Sequence, residues 1–536
     1  MPHVQGVSRE AAILFPPSLD EYITADNPVR FIDAFVDSLE LSALGFARVV
    51  CAETGRPAYH PGDLLKLYVY GYLNRVRSSR LLERETRRNV EGMWLLKKLM
   101  PDHKTIADFR AQQREAIQKV CREFTVLCRA WDLFGGELVA IDGSKFQADN
   151  SRKRNYTQAS LKKRLSQIKQ RIEDYLHELD EADTQAAPLK PVTADELRAK
   201  IEQLRARQTK YEAIQQQLAA SGDSQLSLTD PDSRSMPAGQ GTLVAYNVQT
   251  AVDAKHHLIV EHAVTNAVTD QGQLLPMAQA AQATLGVETF DVVTDKGYYD
   301  GAQVGDCDDL GITVYMAKPH TSANRKQGLF TKEDFRYDAE SDLYRCPANQ
   351  ELTYRFSTVE ADRPMRYYET STCRTCPIKP QCTRNKENRR ITRAEYEGAL
   401  DRMARRVREH PDKIKLRQQL AEHPFGTLKR WWSQGYFLCR GLKKVKVEMS
   451  LSVLAYNLRR ATLAPTAWAQ CGVNILGVPK LLEALRARAA QAPVTFRCRC
   501  RAFVQRRLAV RWRFYTVWRV VRRPCSARQE HQLAAQ

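Results

Sequence analysis

Three carboxylates carry the chemistry this chain could perform: Asp142 in VAIDGSKF, Asp295 in VVTDKGYYD and Glu422 in AEHPFGTLKRWW. Asp142 and Asp295 each end a short apolar, β-branched run, so both are expected at strand ends. Glu422 falls in a segment of helical spacing, with Lys429 seven positions on. Acidic groups from separate elements can converge on hard divalent cations, which prefer oxygen ligands. Two such ions about 3.5–4 Å apart activate an attacking oxygen and stabilise a leaving one in phosphoryl transfer, without a histidine base. Asp142-Gly143-Ser144 and Asp295-Lys296-Gly297 also read as turns chosen for chain reversal, and that plainer role stays open for both aspartates. Glu448, in VKVEMSLSVLAYNL, is a rival third carboxylate. Its apolar neighbours at helical spacing suit a capped or paired residue on a packing helix, and the Lys429 spacing favours Glu422.

The substrate class follows from charge. The chain has 536 residues and a net charge of +20, with a sequence pI of about 9.4. That balance calls for a polyanionic partner, and DNA is the natural phosphodiester. An anionic membrane surface is the runner-up, yet no apolar stretch is long enough to span a bilayer. The opening MPHVQGVSREAAILFPP lacks the basic region and apolar core of a secretory signal. Thirteen scattered cysteines do not read as a secreted disulfide framework. The expected location is the cytoplasm.

Elements must bring the three carboxylates together, and 536 residues imply two to four domains. Residues 28–131 read as helices: one starting at His60-Pro61, short pieces at Leu81–Arg88 and Val90–Leu99, and a longer run from Thr105 to about Trp131. Arg75, Arg77, Arg80, Lys97 and Lys98 make this region a candidate DNA-binding module, and a solvated basic face is the plainer reading. Leu138–Ile141 is the first buried strand. Leu161, Leu165, Ile168, Ile172, Tyr175 and Leu179 then form a heptad seam, and a second runs through Leu197, Ile201, Leu204, Tyr211 and Leu218. With a capping box at Thr193–Glu196, these predict an inserted antiparallel helical hairpin. After the turn-rich DPDSRSMPAGQG, Leu243–Val252 and Leu258–Val264 read as a β-hairpin. A helix (Gln271–Leu285), a strand (Asp291–Thr294), a helix (Tyr299–Leu310) and a strand (Ile312–Met316) follow. This order predicts an α/β domain built on a mixed sheet.

Cys346, Cys373, Cys376 and Cys382 lie between the last strand and the Glu422 segment, in YRCPAN and CRTCPIKPQC. A CxxC pair with a further cysteine on each side can supply four thiolates to a structural zinc; reduced structural cysteines are the alternative. From Val494 to Arg528 the chain is dense in arginine, with Trp512, Tyr515 and Trp518 interleaved. That pattern suits nucleic acid, or an extension with no selected role.

The blocks HPGDLLKLYVYGYL, AIDGSKFQADNSR, DPDSR, YNVQTAVD, VVTDKGYY, CRTCPIKPQC, EHPFGTLKRWW and LAYNLRRA, in that order, give the chain a specific resemblance. It resembles the DDE transposases of bacterial insertion sequences, in the insertion sequence 1182-like branch, related to the insertion sequence 4 and insertion sequence 5 groups. The resemblance spans about residues 10–465 and fades after about 470. It implies a ribonuclease-H-like catalytic fold in which Asp142, Asp295 and Glu422 hold Mg²⁺ or Mn²⁺. It implies that Lys429 contacts DNA phosphate near the cut, with Arg430 beside it. Related transposases place a tyrosine and an arginine before the glutamate. Here Lys415 stands at the tyrosine position, and Arg417 is the nearest arginine, five before Glu422 rather than four.

The expected organisation is a helical N-terminal DNA-binding domain at 1–133 and a catalytic domain at 134–465. The latter carries a helical hairpin insertion at 158–222 and a cysteine-rich insertion at 321–395. A basic extension at 466–536 completes the chain. The implied activity is cleavage at the terminal inverted repeats of a mobile element and strand transfer to target DNA, by a homodimer or higher assembly near the bacterial nucleoid. The alternatives are a metal-dependent nuclease and a degraded transposase that binds DNA without cutting it.

Overall fold

The structure, a computed structural model, describes residues 17–463 except 51, 52, 55, 56, 152, 153, 185–193, 240, 320–322, 361 and 362. Thr193 of the expected capping box and the arginine-rich tail lie outside the described residues.

The described chain opens on α1 (Pro28–Asp37), α2 (Pro61–Leu73), α3 (Ser79–Arg88), α4 (Val90–Leu95), α5 (His103–Gln112) and α6 (Arg114–Ala130). Asn27 and His60 cap α1 and α2 by accepting the Val29 and Gly62 N–H groups. A proline follows each cap, at the position where its missing N–H costs nothing. The helix expected from Thr105 to Trp131 is in fact two. Gln113 leaves helical geometry and its side chain accepts the Ala47 N–H at 3.1 Å. The run expected to reach Leu99 stops at Leu95, because Lys97 and Lys98 turn left-handed at φ 52° and 63°.

The main sheet is built on β1 (Leu138–Gln147). This strand continues past Asp142, where the sequence suggested it would stop. The 13-residue β5 accounts for the extension by pairing antiparallel with it from Val139↔Asp253 to Gln147↔Ala245. Between them in sequence, β2 (Asn155–Thr157) and β3 (Gln225–Ser227) pair at the base of the expected helical hairpin, α7 (Gln158–Thr184) and α8 (Ala194–Ser221). Leu161 and Ile168 from one helix and Leu197, Ile201, Leu204 and Leu218 from the other are buried, as heptad spacing demands. The turn-rich segment contributes β4 (Arg234–Ala238), which pairs with the start of β5 (Gly241–Asp253). β6 (Ile259–Thr265) completes the expected hairpin.

Beyond α9 (Leu274–Leu285), β7 (Phe290–Thr294) pairs parallel with β1. After α10 (Gly301–Asp309), β8 (Ile312–Met316) pairs parallel with β7. The strand order is β4-β5-β1-β7-β8, with β6 also on β5, a mixed sheet as the element order required.

The segment between β8 and Glu397, where a cysteine-rich insertion was expected, holds structure that its sequence concealed. After the short α11 (Ala323–Lys326) comes an antiparallel five-stranded sheet in the order β13-β12-β11-β10-β9. Its strands are β9 (Arg336–Asp338), β10 (Leu343–Arg345), β11 (Glu351–Glu360), β12 (Arg363–Glu369) and β13 (Ile391–Ala394), with α12 (Lys379–Cys382) before the last. Phe335, Tyr344, Leu352, Tyr368, Cys382 and Ile391 form its small core.

The chain then returns to the main sheet through α13 (Glu397–Glu409) and α14 (Pro411–Gly426). Leu420 and Ala421 of α14 pack on Ala140 of β1, Val293 of β7 and Tyr315 of β8. A π-helical turn, Thr427–Trp431, extends α14. The final described helix, α15 (Leu442–Ala461), is buried along most of its length because it packs on α2, α6 and β6 together. Helical region and sheet therefore share one core through α15. Among the described residues, no helix is long and apolar enough to cross a membrane.

Candidate active site

The β1–β7 ladder ends at the pair Ile141↔Thr294, so Asp142 and Asp295 each lie one residue past it, side by side. Beyond that point β1 continues along β5, its last residue Gln147 also bridges to Tyr436, and next to Asp142 the sheet opens on the β7 side. Asp142 Oδ1 accepts the Gly143 N–H at 2.8 Å, and Arg417 Nη1 stands 3.8 Å from Oδ2. Burial pushes its carboxyl up to about 6, and the negative charges of Asp295 and Asp270 push the same way against Gly143 and Arg417. Asp295 caps the turn Lys296–Tyr298 by accepting the Gly297 N–H at 2.8 Å. The turn role open to this aspartate is real, and it leaves the carboxylate at the sheet opening.

Glu422 is placed differently. Its neighbour Ala421 packs on Ala140 and Val293, two residues before the aspartates, but Glu422 itself is on the exposed side of α14. Among the described residues, no three His, Cys, Asp or Glu side chains form a group ready to hold a metal ion. Asp142 and Asp295 are brought together; Glu422 is on the adjoining helix with its carboxylate in solvent.

Lys429, expected at a DNA phosphate, is half-buried beside Asp142. The π-helical turn breaks the seven-residue spacing that would keep it on the face of Glu422, and its ammonium is tucked against β1. Nζ donates to Ser144 Oγ at 2.5 Å and to the Lys145 carbonyl at 2.8 Å, and lies 4.6 Å from the Phe146 ring centre. Burial, helped by Lys145, depresses it to about 8, while Asp142 opposes the shift. Lys429 thus ties the turn to the strand that carries Asp142.

Arg77 is also corrected. It is buried, its guanidinium donating to Glu448 Oε1 at 3.1 Å and the Tyr436 carbonyl at 2.8 Å. Glu448, fully buried, further accepts the Leu438 and Cys439 N–H groups. A cation held so completely cannot reach DNA, and the rival carboxylate is the paired packing residue its neighbours suggested. Arg75, Arg80, Lys97, Lys98 and Arg430 are exposed.

Cys346, Cys373, Cys376 and Cys382 line one small pocket of the second sheet. Burial raises the Cys382 thiol, and the other three add to the effect. Cys346 Sγ accepts the Gln350 N–H at 3.3 Å, across a turn in which Asn349 is left-handed at φ 57°.

Two family models match this chain. The "Transposase domain (DUF772)" matches residues 17–112, the region of α1–α5. The "Transposase DDE domain" matches residues 345–462, which include the four cysteines, Glu422 and Lys429. The chain carries the domains of a DDE transposase. No curated protein matches it. Among solved structures, the cryo-EM structure of a piggyBac transposase synaptic complex with hairpin DNA aligns over 87% of this chain and 82% of that one. Identity is 9% and the TM-score 0.29, so the assignment rests on the two family matches. The transposase also has polar residues around Asp142 that sequence reading passed over: Lys145, Asn247, Gln249, Asp270 and Tyr298. The signal for two of them was present, since Asn247 and Gln249 interrupt the apolar run of β5 at alternate positions.

Proposed function

We propose that Asp142, Asp295 and Glu422 form the acidic triad of this transposase, within a ribonuclease-H-like domain of the insertion sequence 1182-like branch. The observation that carries the proposal is the register of β1 and β7, which leaves two carboxylates side by side where the ladder ends. α14 crosses the same two strands next to Glu422. The donor set is all oxygen, and burial, with the charge of neighbouring Asp295 adding to it, raises Asp142 in the absence of a cation. Both features fit Mg²⁺ or Mn²⁺, which would supply an activated oxygen nucleophile and a stabilised leaving oxygen. Glu422 joins by a side-chain and helix adjustment on DNA binding, since its carboxylate is free in solvent. Arg417 holds charge balance beside Asp142, and Lys429 holds β1 against the π-helical turn. Exposed Arg75, Arg80, Lys97, Lys98 and Arg430 grip the phosphates of the element's terminal inverted repeats and of target DNA, in a homodimer or larger assembly at the nucleoid.

The four cysteines suit a structural Zn²⁺ in donor type and line one pocket, and a backbone N–H already serves one sulfur, so binding would draw together thiols that are not yet grouped around one point. Zinc would fasten the loops that carry them to the second sheet.

The test is a cleavage and joining reaction in Mg²⁺ or Mn²⁺, using a plasmid that carries the DNA flanking the gene. Wild-type protein should yield joined products, and Ala at Asp142, Asp295 or Glu422 should abolish them while end binding persists. Any of the three variants cutting at the wild-type rate would remove that residue from the triad. Cutting without joining would make the chain a nuclease.

A further inference from the structure

Asp142 and Asp295 lie past the last ladder pair of β1 and β7, so backbone hydrogen bonds between those strands do not fix their separation. A chain of hydrogen-bonded side chains, partly exposed at Asp270 and Lys145 and buried beyond them, does span the gap. Asp270, in the loop before α9, accepts Lys145 Nζ at 3.2 Å, Asn247 Nδ2 at 2.7 Å and Gln249 Nε2 at 2.8 Å, all on Oδ1. Lys145 belongs to β1, while Asn247 and Gln249 belong to β5 and are fully buried. Gln249 Oε1 in turn accepts the hydroxyl of Tyr298, also fully buried, in the turn that Asp295 caps.

The approach to β1 is close. A Cβ at Gly143, the residue after Asp142, would fall 2.4 Å from both Asp270 Oδ1 and Gln249 Nε2. Glycine there lets the carboxylate rest on the strand backbone. By strand alternation, Asp270 sits on the face of β1 opposite the one Asp142 presents to Arg417. It therefore acts from behind the site and not as a member of it.

We propose that Asp270 is a positioning residue for the Asp142–Asp295 pair, acting through Lys145 on β1 and through Gln249 and Tyr298 on the turn that carries Asp295. This rests on the triad proposed above. A partner of this kind, which orients ligating groups without touching the ion, is worth about 10- to 100-fold in metal affinity or activity.

The experiment uses the full chain as wild type, Asp270→Ala, Asp270→Asn and Tyr298→Phe, with Asp142→Ala as control. Three readouts are taken: cleavage of the flanking DNA, Mn²⁺ affinity of the DNA-free protein by electron paramagnetic resonance of the free ion, and amide exchange at residues 295–299 without metal. Asp270→Ala and Tyr298→Phe should lose about 10- to 100-fold in turnover and in Mn²⁺ affinity. DNA affinity should stay unchanged, with faster exchange at 295–299. Asp270→Asn, which keeps a carbonyl for the two amides, should recover most of the loss. Wild-type turnover, Mn²⁺ affinity and exchange in Asp270→Ala and Tyr298→Phe would overturn the proposal. So would a loss shared equally by DNA binding and thermal stability in Tyr298→Phe, which marks a merely structural role. If Asp142→Ala itself cleaves normally, the triad has failed instead, and the control separates the two outcomes.

Discussion

At the residue scale, two glutamates of similar first appearance have opposite environments, and stability measurements should divide them. Removing Glu448 strands the buried Arg77 guanidinium and two backbone N–H groups. Glu448→Ala should therefore cost about 3–5 kcal/mol in chemical denaturation. Glu422→Ala, on an exposed helix face, should stay within about 0.5 kcal/mol while abolishing cleavage. Equal costs for the two would contradict their placement. Asp142 adds a pH signature. Its folded carboxyl titrates at about 6, above the ordinary value near 3.9, so its contribution to stability is fully present below about pH 4 and lost as pH rises through 6. In metal-free protein, Asp142→Asn should raise Tm at pH 8, by a change worth at most about 3 kcal/mol, with the gain gone by pH 4. A gain that does not depend on pH would mean that burial of the charge is not what Asn relieves.

At the element scale, the main sheet was legible because its strands are short apolar runs broken by turn residues, and register follows from such patterning. Asp142 and Asp295 could be placed at strand ends for that reason, and the structure makes those strands neighbours. The end of β1 was misplaced because SKFQ looks polar on its own; only the long partner β5 shows that it stays in the sheet. The second sheet escaped notice because most of β11 is exposed on both faces, which erases the two-residue alternation. The inward turn of Lys429 escaped because a π-helical register shift leaves no mark in residue spacing. A core as small as that of the second sheet gains from a metal staple. The purified transposase should contain about one zinc per chain by elemental analysis. A chelator should speed amide exchange at 330–395 while leaving 138–147 protected. Absence of zinc, with those amides equally protected after chelation, would leave the cysteines as reduced core residues.

At the scale of the whole molecule, the net charge of +20 matters through the cations that stay exposed. Replacing Arg80, Lys97 and Lys98 together with Ala should flatten the plot of log affinity against log salt by about one for each DNA phosphate that is no longer neutralised. Arg77→Ala should instead lower stability, since its charge is spent inside the protein. An unchanged salt slope in the triple variant would take that face off the DNA.

The central claim, that the transposase acts through a triad completed by Glu422, is tested most directly by excision in cells. A plasmid carries the gene's flanking DNA around a marker, and the protein is supplied separately as wild type or Glu422→Ala. Excision by the wild type alone is the predicted result. Excision by Glu422→Ala at the wild-type rate would contradict it.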